Sequence, residues 1–289
     1  DGSYIDTLQK ENATLEKMVS LMVGRAFEKK AHREFIQEYT DREVVLEVQN
    51  LSVSNKVKNV SFQLYKGEVL GLTGLVGSGR TELLQSIFGM EKITSGTILI
   101  KGNPVKIKHP SDAIKLGIGM VAEDRKEQGM FLKLSVQDNM TMVHLKELSN
   151  AFKFISNKKA KEVAHRYVNL LSIKTPSLKQ ISKNLSGGNQ QKTILARWLM
   201  HEPTILFLDE PTHGIDVGAK AEIYKLIDDL SKMGVSVILL SSELPEVLAL
   251  CDRIMVMHHG LLKGILHHQE ADQVKIMSFT LENTKERAS

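Results

Sequence analysis

Between an apolar run, Val69-Leu70-Gly71-Leu72-Thr73, and a helix-like run, Glu82-Leu83-Leu84-Gln85-Ser86-Ile87-Phe88, the chain carries Gly74-Leu75-Val76-Gly77-Ser78-Gly79-Arg80-Thr81. Strand, glycine-rich turn and helix start follow in the order that a phosphate-binding loop requires, so an α/β core is expected around this point. Glycines let the backbone approach a polyanion with no Cβ in the way, and the helix start aims free N–H groups and a positive dipole end at the phosphates. Arg80 would bring a positive charge to the β and γ phosphates, Thr81 a hydroxyl to Mg²⁺, and Glu82 closes the stretch. The usual pattern, G-x-x-x-x-G-K-[ST], has lysine where this chain has Arg80. A planar fork replaces a compact point charge, which keeps the charge and changes the geometry. A turn that is glycine-rich for packing alone is the competing reading, and two motifs downstream weigh against it.

The first is Thr204-Ile205-Leu206-Phe207-Leu208-Asp209-Glu210, an apolar strand that delivers two carboxylates at its C-terminal end. Asp209 is placed to hold the Mg²⁺ shell and Glu210 to polarise an attacking water. Two adjacent buried acids without a cation would be costly. The second is Leu185-Ser186-Gly187-Gly188-Asn189-Gln190-Gln191-Lys192, in which a serine and two glycines open a helix. That makes a second anion-binding helix start, unconnected with the first.

With the phosphate loop, these motifs resemble the nucleotide-binding domain of ABC transporters. The resemblance implies ATP and Mg²⁺ as ligands and a head-to-tail pair, in which the helix carrying Leu185, Ser186, Gly187, Gly188, Asn189 and Gln190 closes on the γ-phosphate held by the partner domain. Residues 211–220 match the loop that crosses the dimer interface in that family, with Gly214 and Asp216 in it. Three further positions besides Arg80 depart from the family pattern. Glu123 stands where a glutamine contacts magnesium and water, Ser242 stands where a histidine caps the γ-phosphate, and no aromatic residue for stacking on adenine occurs near 53–56. Glu210, Glu123 and Ser242 are therefore the candidate catalytic positions.

A closer likeness rests on Arg80, Glu123-Asp124-Arg125-Lys126, the Leu-Ser-Gly-Gly-Asn-Gln-Gln-Lys run, Gly214-Ile215-Asp216-Val217-Gly218-Ala219-Lys220 and Ser241-Ser242-Glu243-Leu244-Pro245-Glu246. Together they resemble the C-terminal half of the tandem ATP-binding subunits of monosaccharide importers, those for ribose and galactose being the best known. This implies an ATPase that powers sugar import from the cytoplasmic face of the inner membrane. Its partners would be a preceding nucleotide-binding domain of the same chain or a second copy, an integral-membrane sugar permease and, indirectly, a periplasmic sugar-binding protein. An intact signature helix beside an altered phosphate loop implies an asymmetric pair; the alternative is a regulatory half that binds nucleotide and scarcely hydrolyses it.

The rest of the chain agrees with one cassette. Strands are expected at 44–48, 60–64, 69–73, 96–100, 118–121, 205–208 and 235–240, with a hairpin about Gly260. Between 127 and 200 strand signals vanish and helical spacing appears at 136–148, 157–171 and 189–200, a helical subdomain inserted in the α/β core. Another helix is expected at 221–230. Strands alternating with helices predict a mostly parallel sheet, with a smaller antiparallel sheet ahead of the loop. Domain limits are expected at 43–268, with 27–42 a linker and 269–289 a C-terminal tail. Residues 1–26 are expected to be the tail of a preceding nucleotide-binding domain, because Gly2, Ala13, Lys17 and Ser20 match Gly260, Ala271, Lys275 and Ser278 at one offset.

Composition removes other classes. Lys+Arg of 38 against Asp+Glu of 34 leaves +4, and aromatics are 5%, so nucleic-acid binding is not expected. The basic run Lys158, Lys159, Lys161, Arg166 reads as a solvated helix face. Lone Cys251 excludes an internal disulfide, and no apolar run approaches membrane-spanning length, so a soluble protein of a reducing compartment is expected. His258, His259, His267 and His268 flank the terminal hairpin as exposed polar residues would, and Met255 and Met257 read as core.

Overall fold

In the computed structural model, residues 34–150 and 153–281 are described. The expected tail at 1–26, residues 27–33 of the linker and 282–289 of the C-terminal tail lie outside them.

Two sheets form. β1 (Val44–Val53) pairs antiparallel with β2 (Val57–Tyr65) and, on its other edge, with β4 (Ser95–Ile100), which pairs with β5 (Asn103–Val105). The second sheet holds β3 (Val69–Gly74), β6 (Ile118–Val121), β7 (Ile205–Asp209), β8 (Ser236–Leu240), β9 (Arg253–His258) and β10 (Leu261–His267), in the order β10-β9-β3-β8-β7-β6. All its pairings are parallel except the β9–β10 hairpin. Every residue of β7 and β8 is buried, as near-continuous apolar strands covered on both faces must be. The expected α/β class, with its mostly parallel sheet and smaller antiparallel one, is the fold observed.

The helices are α1 (Arg80–Ile87), α2 (Pro110–Lys115), α3 (Val136–Thr141), α4 (Asn157–Leu170), α5 (Gly187–Leu199), α6 (Val217–Lys232), α7 (Leu244–Leu250) and α8 (Gln273–Leu281). α3, α4 and α5 form the inserted helical layer. Buried Arg197 on α5 ties it together, donating from Nε to the Asn139 carbonyl (2.7 Å) and from Nη1 to the Gly129 carbonyl (2.7 Å). Lys158, Lys159, Lys161 and Arg166 lie exposed on α4, as expected, and Met255 and Met257 are fully buried in β9.

Three local expectations change, and one unanticipated turn appears. The helix expected at 136–148 stops at Thr141 and continues as turns. Arg125–Gly129 forms a π-helical turn capped by the Asp124 carboxylate, which accepts from the Lys126 and Glu127 amides. The helix expected at 221–230 begins at Val217, because Asp216 Oδ1 accepts from the Ala219 amide (2.9 Å) and caps it. His258 is buried in β9, only 8% exposed, whereas the turn itself exposes His259.

At the base of the sheet, Glu68, just before β3, is fully buried and paired with Arg253, the first residue of β9. Tyr39 and Tyr65 lie on the Arg253 guanidinium, with ring centroids at 4.8 and 4.9 Å. The linker residues that the structure describes pack here too: the Ile36 amide donates to Asp252 Oδ1 (2.9 Å), and Phe35 stacks on His268. No helix among the described residues is long and apolar enough to cross a membrane.

Candidate functional site

β3 turns into the glycine loop at Gly74, whose φ is +147 and whose missing Cβ would strike the Met257 carbonyl oxygen on β9. Gly79, the residue before α1, has φ +94, and a Cβ there would strike the Lys56 carbonyl oxygen. Both positions need glycine for backbone reasons alone. Gly77 differs. Its φ is +78, yet a Cβ would meet nothing within 4 Å, so packing leaves its face clear. Leu75 and Val76 are exposed at the tip of the loop, and Ser78 Oγ is buried with no hydrogen-bond partner.

The loop borders a cleft of about 200 Å³ whose other walls are Thr81, Glu82, Glu123, Glu210, His213, Leu240 and Ser242. Glu82 also pairs with Lys56 (3.3 Å), which holds the β1–β2 turn against the start of α1. Strand ends supply the acids: β6 leads to Glu123, and β7 ends at Asp209 with Glu210 beyond it. Asp209 is 1% exposed, and its Oδ1 has no hydrogen-bond partner. Burial, reinforced by Glu123, pushes its pKa up to about 7, against a hydrogen bond from Thr81. A hydroxyl and carboxylates converging on an unsatisfied buried oxygen are an all-oxygen donor set, and that set fits Mg²⁺.

Arg80 is buried at the start of α1, and its Nη1 donates to the Ser241 carbonyl (3.4 Å). Burial lowers its pKa while Glu210, Asp209 and Glu123 act to keep the charge in place. The two departures at Arg80 and Glu123 therefore meet in space, as a larger cation facing one additional acid.

Glu210 has φ +46, a left-handed conformation unusual for a non-glycine residue. Its amide continues the β7–β8 ladder to the Leu240 carbonyl (2.9 Å), and its Oε1 accepts from the Ser242 amide (2.7 Å). The Ser242 backbone, not its hydroxyl, holds the carboxylate. No side-chain pattern in the sequence carries a signal for that contact.

Residues 185–190 lie outside this cleft. Ser186 is exposed at the start of α5, and Asn189 Nδ2 donates to its Oγ (2.8 Å). Leu185 is half-buried, and buried Gln190 donates to the Ser182 carbonyl (3.1 Å). Gly188 must lack a Cβ, which would come within 2.5 Å of Ala219 Cβ in the first turn of α6. A Cβ at Gly187 would meet Arg125 Nη2 at 2.8 Å. Arg125 in turn donates to the carbonyls of His213 (3.1 Å) and Gly214 (3.0 Å), tying the loop that holds Gly214 and Asp216 to the start of α5. Sequence reading quoted Arg125 in a motif and assigned it no role. His213, on the cleft wall, was missed as well.

Residues 57–213 match the family model described as ABC transporter. The chain is 49% identical over 277 residues to a putative ribose/galactose/methyl galactoside import ATP-binding protein of Geobacillus kaustophilus, covering 96% of this chain and 54% of that protein. It is 45% identical over 281 residues to the ribose import ATP-binding protein RbsA of Clostridium tetani, covering 97% and 55%. With the xylose import ATP-binding protein XylG of Thermoanaerobacter pseudethanolicus it shares 48% identity over 285 residues, covering 96% and 56%. The chain thus spans about half the length of the curated relatives it matches. Among solved structures, the ADP conformation of MJ1267, an ATP-binding cassette of an ABC transporter, superposes with a TM-score of 0.68 at 21% identity, covering 84% of this chain and 96% of that one. A glycine loop facing paired strand-end carboxylates, on this sheet order and with these relatives, places the chain in the ABC transporter family, with the fold of its ATP-binding cassettes.

Proposed function

We propose that this chain binds and hydrolyses ATP to drive import of a monosaccharide through a membrane permease, working from the cytoplasmic face of the membrane. The observation that carries the reading is the cleft itself: a glycine loop with one face clear shares its walls with Glu210, and behind Thr81 the buried Asp209 has an oxygen that lacks a partner. Three relatives named as sugar import ATP-binding proteins, 45–49% identical, support the class of cargo.

Backbone amides of the loop and the start of α1 cradle the phosphates, with Arg80 beside them. Thr81 and Asp209 would hold Mg²⁺, which supplies charge neutralisation at the β and γ phosphates. Glu210, fixed by the Ser242 amide, orients the attacking water and takes up its proton, while Glu123 balances Arg80. Ser186 and the first turn of α5 are free to meet the triphosphate of a partner domain, either a preceding domain of the same chain or a second copy. The match of Gly2, Ala13, Lys17 and Ser20 with Gly260, Ala271, Lys275 and Ser278 at one offset supports the tandem arrangement. In that pair the altered loop makes this chain's own site the slower one, and its signature helix serves the faster site.

Glu210→Gln tests the site. With the preceding domain's phosphate-loop lysine removed, so that only this chain's own site turns over, ATP binding should persist while hydrolysis falls by about 10²–10⁴; hydrolysis at the unaltered rate in that background would overturn the assignment. The asymmetry is tested by single turnover in the full-length protein. Arg80→Ala should slow hydrolysis less than loss of the preceding domain's phosphate-loop lysine, and equal losses would overturn it.

A further inference from the structure

The histidines that the fold groups are not those of the β9–β10 hairpin. His144 lies in the turns after α3, Glu147 follows one turn later, and His201 lies just beyond the end of α5. One donor atom from each lies within 4.8 Å of the others. We propose that His144, Glu147 and His201 form a binding site for a zinc-type divalent cation at the seam between the helical layer and the α/β body.

Three observations carry this. His144 Nδ1 is buried and has no hydrogen-bond partner, an open lone pair or an unsatisfied N–H in a place where either is costly. Glu147 Oε2 is 3.7 Å from it, too far for a hydrogen bond. Two ligands held at about 2.0–2.2 Å by one ion stand roughly 3–4 Å apart, so a shared ion accounts for the spacing. His201 Nε2 lies 3.0 Å from the Ile114 carbonyl on α2. A carbonyl can only accept, so that nitrogen carries the hydrogen and the lone pair sits on Nδ1; this is the carbonyl-oriented arrangement typical of a metal-bound imidazole.

Two imidazoles and one carboxylate select the ion. Mg²⁺ and Ca²⁺ take oxygen donors, whereas borderline ions such as zinc take nitrogen with one oxygen and leave a fourth position to water. The site is separate from the nucleotide cleft in sequence and in donor chemistry. Bound metal would join the turns after α3 to the end of α5 and, through the Ile114 carbonyl, to α2.

The test uses the full chain without added histidines and with Mg²⁺ in large excess, so that oxygen-only sites are filled. Zinc is titrated in competition with a chromophoric chelator. The wild type should bind about one equivalent, and Co²⁺ in its place should give the ligand-field absorption of a nitrogen-bound ion. Glu147 is on the surface, so Glu147→Gln should fold normally, with an unchanged Tm in the absence of zinc, yet bind zinc at least about 10-fold more weakly; His201→Ala should lose 100-fold or more. At 100-fold zinc over the wild-type Kd the wild-type Tm should rise by roughly 5–10 °C, a shift that falls to about half or less in Glu147→Gln and nearly vanishes in His201→Ala. His267→Ala should behave as wild type. Equal zinc affinity in wild type, Glu147→Gln and His201→Ala, or a Co²⁺ spectrum of an all-oxygen site, would overturn the proposal.

Discussion

Replacing Arg253 by methionine tests what holds the phosphate loop's strand in register. Arg253 Nε and Nη2 donate to Glu68 Oε1 (2.7 Å) and Oε2 (3.1 Å), and Nη2 also donates to the Gln63 carbonyl (2.7 Å). Glu68 is fully buried, and burial pushes its pKa up despite the paired arginine. Removing one partner of a buried pair leaves an uncompensated charge, at a cost of about 3–5 kcal/mol. Loss of the guanidinium from against two neighbouring tyrosine rings adds about 0.5–1 kcal/mol each. The pair joins the residue before β3 to the first residue of β9, and Leu70 faces Arg253 across those parallel strands. The damage therefore falls at the base of the strand that carries Gly74. Thermal unfolding of Arg253→Met should show a Tm lower by roughly 8–28 °C. The double variant Glu68→Gln, Arg253→Met should recover most of it, because no buried charge is then left without a partner. A loss under about 1 kcal/mol for the single variant, or a double variant no better than the single, would show that Glu68 is not held by this pair.

Two further outcomes follow. Gly79→Ala places a side chain at φ +94 against the Lys56 carbonyl, a strain of about 1–3 kcal/mol, and ATP affinity by equilibrium titration should fall by roughly 10- to 100-fold. Glu246, 2% exposed, accepts from Thr212 Oγ1 (3.0 Å), and burial raises its pKa above 4.5. A raised folded-state pKa means that the native state binds the proton more tightly, so stability is lost as the pH climbs above 4.5 and through the folded value. Glu246→Gln should therefore raise stability by about 1–3 kcal/mol at pH 8. That gain should shrink as the pH falls toward 5, which a series of denaturant titrations would check.

Local chemistry made much of this protein readable in advance. The loop from Gly74 to Thr81 could be recognised because its parts are contiguous: strand, glycines and helix start each act on their neighbours. The same holds for Asp209 and Glu210 at the end of an apolar strand, and for the serine and two glycines that open α5. Contacts between distant segments could not be read that way. Nothing near Ser242 shows that its amide would grip Glu210, since a backbone donor leaves no trace in residue type. Arg125 looked like one charge in a polar run until the fold set it against Gly187, His213 and Gly214. Arg80 and Glu123 counted as two separate departures from a pattern, and only the parallel pairing of β3, β8, β7 and β6 brings them to one cleft. His144 and His201 gave no periodic or spaced signal at all, because their grouping depends on where two turns of the helical layer come to rest. Chain neighbours determine each motif; sheet order and helix packing determine which motifs share an electric field.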